Sequence, residues 1–146
     1  MKSSLVICVL VSGFLVSPAA LAGSGQINCP AKIPETSMRV THAPQPWKPY
    51  VLSPLYLSSA VATAGPPELR AVLTGDSTWR RGLTEWTTTY NLRDGGFPNG
   101  KWMECRYGEL GQISLSIRLH DQTQACTLRF GKGENAGQRS IKIFCK

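Results

Sequence analysis

His120 beside Asp121 is the one histidine next to a carboxylate in the chain, and the pair falls where a run of alternating residues ends. An imidazole next to a carboxylate suits general acid–base work, and Ser114 and Ser116, on the same alternating face as His120, would be the candidate nucleophiles. Neighbours on a turn seldom converge on one substrate, however, and serines alternating along a strand are an ordinary solvent face. The nine carboxylates show no pair suited to glycoside hydrolysis, and neither a glycine-rich phosphate loop nor an HExxH helix occurs. We therefore expect no catalytic residue, no cofactor and no enzyme activity, with a small hydrolase as the least favoured reading.

The other reactive side chains are cysteines. Cys8 lies inside an N-terminal apolar run, which leaves Cys29, Cys105, Cys126 and Cys145. These four are dispersed, with neither a close C-x-x-C pair nor a neighbouring histidine, so a zinc site is not expected. An even count in an exported chain reads as two disulfides.

Export itself is read from Met1 to Ala22. Lys2 supplies the charge, Leu5 to Val16 the apolar run, and Ala20, Leu21 and Ala22 the small-residue cleavage pattern, so a signal peptide ending near Ala22/Gly23 is expected. The run is about twelve residues, short of the roughly 20 that span a bilayer as a helix, and no second run follows, so no stable membrane anchor is expected. Neither Cys8, after Ile7, nor Cys29, after Asn28, has the setting for lipoprotein processing. The expected location is the periplasm, with secretion also open.

The net charge of +7, lowered by one when Lys2 is removed, would steer the protein toward acidic partners without choosing among them. Arg80 and Arg81 are the only adjacent basic pair. No clustering of cations with interleaved aromatics marks a nucleic-acid face, so none is expected to bind.

The elements that must hold these residues are mainly strands. Residues 23–54 carry six prolines from Pro30 to Pro54 and read as an N-terminal arm, with Trp47 and Tyr50 expected to dock on the edge of the core. Leu55 to Thr63 reads as the first strand of a body over residues 55–146, with arm and body forming one domain. Gly65, Pro66 and Pro67 stop that strand, and Glu68 to Leu73 has room for a single helical turn. In the next strand Trp86, Thr88, Tyr90 and Leu92 share one face. Asp94-Gly95-Gly96-Phe97-Pro98-Asn99-Gly100 is the richest turn signal in the chain, a hairpin loop with a phenylalanine at its tip that either folds back onto the body, the ordinary reading, or is presented to a partner as an anchor.

Four further strands fill Lys101 to Lys146. Met103, Cys105 and Tyr107 share the expected core face of the first. Ile113, Leu115, Ile117 and Leu119 give the cleanest period of two in the sequence and are expected to be core as well. Cys126, Leu128 and Phe130 alternate inward on the third, and Ile141, Ile143 and Cys145 close the chain. If Phe130 lies opposite Ile141, Cys126 lies opposite Cys145. A bridge there would contribute about 3 kcal/mol by the loop-entropy model, leaving Cys29 for Cys105 to pin the arm. Four cysteines allow three pairings, and a Cys29 to Cys145 link would exclude this one. The expected fold is mainly β, a single-domain antiparallel meander forming a curved sheet, sandwich or partly open barrel, with at most one short helix and two disulfides.

The order of features then carries a resemblance: a signal peptide, Cys29 with Pro30, a tryptophan soon after, the Gly65-Pro66-Pro67-Glu68-Leu69 turn, Trp102 and Cys105 with Tyr107, a late Cys126, and a terminal Ile143, Cys145 and Lys146. It resembles a family of small exported proteobacterial proteins, mostly hypothetical, from enterobacterial type VI secretion regions. The resemblance implies an immunity protein that neutralises a cell-wall-directed secreted toxin, and it lends no catalytic residues. A rigid β scaffold with protruding loops suits active-site occlusion. On that reading Arg93, Asp94, Phe97, Asn99 and Lys101, with Arg80 and Arg81 adding charge, are the candidate partner-binding residues. The alternatives are a lysozyme-type inhibitor and a binding module for an anionic glycan or lipid headgroup.

Overall fold

The computed structural model describes residues 25–79 and 84–146. The signal-peptide segment and the Arg80-Arg81 pair lie outside them. Nine strands follow in chain order: β1 (Gly25–Ile27), β2 (Lys32–Ile33), β3 (Leu55–Thr63), β4 (Asp76–Trp79), β5 (Trp86–Asn91), β6 (Trp102–Tyr107), β7 (Ile113–Arg118), β8 (Ala125–Lys132) and β9 (Arg139–Cys145). They form two curled antiparallel sheets, ordered β1-β9-β8-β5-β4 and β2-β3-β6-β7. The helical content among the described residues is two single 3-10 turns, Glu35–Ser37 and Pro67–Leu69, the second opened by the proline pair that ends β3.

The sheets meet over a shared core. Tyr90, Leu92, Leu128, Phe130 and Ile143 come from the first sheet, and Ala60, Ala62 and Met103 from the second. The alternation of β5 and β6 falls on the expected faces, for Thr88, Tyr90 and Leu92 are buried, as are Met103, Cys105 and Tyr107. Each fully buried Leu, Ile or Met contributes about 1.5–3 kcal/mol. A smaller cluster of Ile33, Leu57, Cys105 and Tyr107 sits where the arm meets the second sheet.

Both disulfides pair as the register argument has it. Phe130 faces Ile141 and Cys126 faces Cys145, and the bridges are Cys126–Cys145 and Cys29–Cys105. The arm is therefore sewn to the body three times: β1 pairs with β9, β2 pairs with the start of β3, and Cys29 is bonded to β6 between them.

Two expectations fail. Trp47 and Tyr50 do not dock on the core edge, being 74% and 81% exposed. The prolines flanking them hold that part of the arm in irregular backbone outside both sheets. The second failure concerns β7. Ile113, Leu115 and Ile117 are exposed, and only Leu119 of that run is buried. The three lie on the same side of the second sheet as Met103, Cys105 and Tyr107. β7 is the edge strand, however, and its outer apolar side chains overhang the shared core.

Candidate functional site

The loop between β5 and β6 carries the chain from one sheet to the other, and its conformation is set by its own polar groups. Buried Leu92 anchors its start, with the N–H bonded to the Gln124 carbonyl at 2.8 Å. Asn91 then folds the chain over: its amide donates to the Asp94 carboxylate at 2.8 Å, and its side-chain oxygen accepts from the Arg93 N–H at 3.0 Å. At the far end Gly100 donates its N–H to the Phe97 carbonyl at 2.9 Å. Its φ of 79° is a conformation that glycine adopts at no steric cost. The Trp102 indole N–H caps the turn by donating to the Asn99 carbonyl at 3.0 Å.

Lys101 fastens this loop to the β7–β8 turn. Its ammonium donates to the carbonyls of Asp121 and Thr123, at 2.8 and 2.7 Å, and lies 5.2 Å from the centre of the Phe97 ring. Phe97 is half-buried and packs back against the core instead of standing out from the tip. Arg93, Asp94, Pro98 and Asn99 remain as the exposed side chains of the loop.

The structure thus brings Arg93, Asp94, Phe97, Asn99 and Lys101 into one rigid corner, while Arg80 and Arg81 lie outside the described residues. A residue missed from the sequence joins that corner. Arg118, the last of β7, packs its guanidinium against Gly100, where an added Cβ would come within 2.9 Å of Nε, and pairs with Asp121 at 3.2 Å. The loop is therefore continuous with the end of the exposed strand β7. Only long-range strand order makes Arg118 and Gly100 neighbours, so local sequence carries no signal of it.

The His120 and Asp121 pair of this corner is taken up by its own neighbours. His120 accepts from the Gln122 N–H through Nδ1 at 3.1 Å, and the Asp121 carboxylate is turned to Arg118, so each is engaged within its turn. Among the described residues no group of three or more His, Cys, Asp or Glu is placed to hold a metal ion. Among the described residues the one large shift in acidity lies elsewhere, at Tyr107, whose hydroxyl is pushed up to about 12 by burial. That hydroxyl has no hydrogen-bond partner among the described residues.

Comparison with protein-family models matches residues 52–146 to the type VI secretion system Tli immunity protein. No curated protein and no solved structure matches the chain.

Proposed function

Since the chain belongs to the Tli immunity protein family of type VI secretion systems, we propose that it is a periplasmic protein that binds its cognate toxin and occludes the toxin's active site. The observation that carries this reading is the family match over residues 52–146, which takes in β3 to β9 and the whole 93–101 loop. Two disulfides favour the oxidising side of the inner membrane. An immunity protein placed there meets toxins that act on the cell envelope, and the cell wall is the target we propose for this one.

The mode of action follows from rigidity. A loop bonded to the β7–β8 turn through Lys101 and held by Gly100 loses little entropy on docking, which favours a tight inhibitor. Arg93, Asp94 and Asn99 are the side chains we assign to direct contact, with Phe97 and Lys101 supporting them.

The test is co-expression with the secreted toxin encoded beside this gene, directed to the periplasm. The exported chain should protect, and a version lacking residues 1–22 should not. Protection by the leaderless version alone would remove the periplasmic assignment. Muropeptide release by the unprotected toxin would support the cell wall as target, and phospholipid release without it would reject that target.

A further inference from the structure

The overhanging face of β7 has two unsatisfied features that one occupant would complete. The first is its side chains: Ile113, Leu115 and Ile117 are 36%, 44% and 45% exposed in a row, although they belong to the core side of the second sheet. The second is its backbone. Leu119 donates its N–H to the Lys101 carbonyl at 2.8 Å, and in an antiparallel ladder every second residue points its polar groups the same way. Those of Ile113, Leu115 and Ile117 therefore face β6. Those of Ser114, Ser116 and Arg118 face the open edge.

An exposed edge with an apolar face is a template for another strand, and proteins usually blunt such edges with prolines, bulges or inward charges. β7 has none of these devices over Ile113–Arg118, and its pairing with β6 runs unbroken. Beside it lies a groove of roughly 570 Å³ lined by Ile33 and Met38 of the arm and by Ile113 and Leu115 of β7.

Charge narrows the occupant. Lys32 and Arg39 also line the groove, no acidic side chain lines it, and neither cation is in an ion pair with a described residue. A second copy of this chain would bring the same cations and the same net positive charge to the contact. A strand with acidic flanks complements it.

We propose that β7 is completed by an extended segment of the toxin, apolar on one face and acidic at its flank, which adds to the β2-β3-β6-β7 sheet as a further strand. The proposal rests on the immunity reading and gives it a binding mode. Backbone pairing at Ser114, Ser116 and Arg118 holds the toxin, Ile113, Leu115 and Ile117 gain the apolar layer they lack, and Lys32 and Arg39 select for acid. Arg118 at the end of β7 carries the contact over to the 93–101 loop.

The experiment uses the full chain and the secreted toxin encoded beside its gene. Wild type is measured first, for binding and for protection. Failure of both would sink the immunity reading, and this proposal with it. Given wild-type binding, Leu115→Lys and Ile117→Lys should each weaken it by about 30-fold or more, with the thermal midpoint close to wild type. Ser116→Pro should do the same, since it removes an outward N–H and leaves the β6 ladder intact. Hydrogen exchange gives the sharper readout: the amides of Ser116 and Arg118 should become protected on binding, while those of Leu115 and Ile117 are already slow in the free protein. Wild-type affinity in all three variants would overturn the proposal. So would uniform or absent protection along β7, or a wild-type dimer that the same substitutions convert to monomer.

Discussion

The ammonium of Lys101 donates to two carbonyls and covers the Phe97 ring, so this side chain is part of the scaffold as much as of the surface. Lys101→Ala should lower stability by about 2 kcal/mol, because hydrogen bonds from a charged donor are lost together. Arg93→Ala, at an exposed side chain, should weaken toxin binding and leave the denaturation midpoint unchanged. Equal midpoints for the two variants would show that Lys101 does not brace the loop. Tyr107 gives a second case, read in pH. Its hydroxyl ionises at about 12 in the folded protein against 10.0 ordinarily. Above pH 10 the unfolded chain therefore loses a proton that the folded chain keeps, and stability falls as pH rises through that window. Tyr107→Phe removes a buried hydroxyl that has no hydrogen-bond partner among the described residues, so stability at neutral pH should hold to within about 1 kcal/mol. Its loss of stability above pH 10 should be shallower than wild type, with Tyr90, also raised mainly by burial, accounting for part of the slope that remains. Identical pH profiles would exclude Tyr107 as a source.

At the scale of elements the two disulfides do different jobs. Cys126–Cys145 joins neighbouring strands whose register β-pairing already fixes, and its loop of 19 residues contributes about 3 kcal/mol. Cys29–Cys105 spans 76 residues and fixes the arm where it passes from one sheet to the other. Its removal, as Cys29→Ser with Cys105→Ser, should cost about 4 kcal/mol by the same model and open the arm to protease before the body. Cleavage of body and arm at the same rate would argue that β1 and β2 hold without the bridge. The strands themselves were largely legible. Period two in β5, β6 and β8, the turn-forming run from Asp94 to Gly100 and the proline stop after β3 are local signals, and pairing kept them. Whether an apolar strand face is covered is not local. Ile113, Leu115 and Ile117 alternate as cleanly as any core strand, yet nothing in their spacing says that β7 is the last strand of its sheet.

For the molecule as a whole, the family match begins at residue 52, while the structure places β1, β2 and Cys29 before that point. The arm covers the outer edge of β9 and the N-terminal end of β3, and it supplies one wall of the groove beside β7. A chain reduced to residues 52–146 should consequently be less stable. It should also form dimers through Cys105, visible on a non-reducing gel and absent when Cys105 is changed to Ser. A monomeric truncated chain with wild-type stability would make the arm a passive appendage.

Sequence alone determined the properties that depend on neighbours along the chain: the mainly β character and the position of the turns. For the cysteines it offered one pairing of the three possible, from a hairpin register that follows once a single opposite pair is chosen, and the tertiary structure selected it. The burial of single side chains was a different matter. That Phe97 turns inward, that Trp47 and Tyr50 stay out, and that Arg118 meets the 93–101 loop were decided by tertiary structure. Burial depends on what lies across the sheet, and that is set by the order in which distant strands pair.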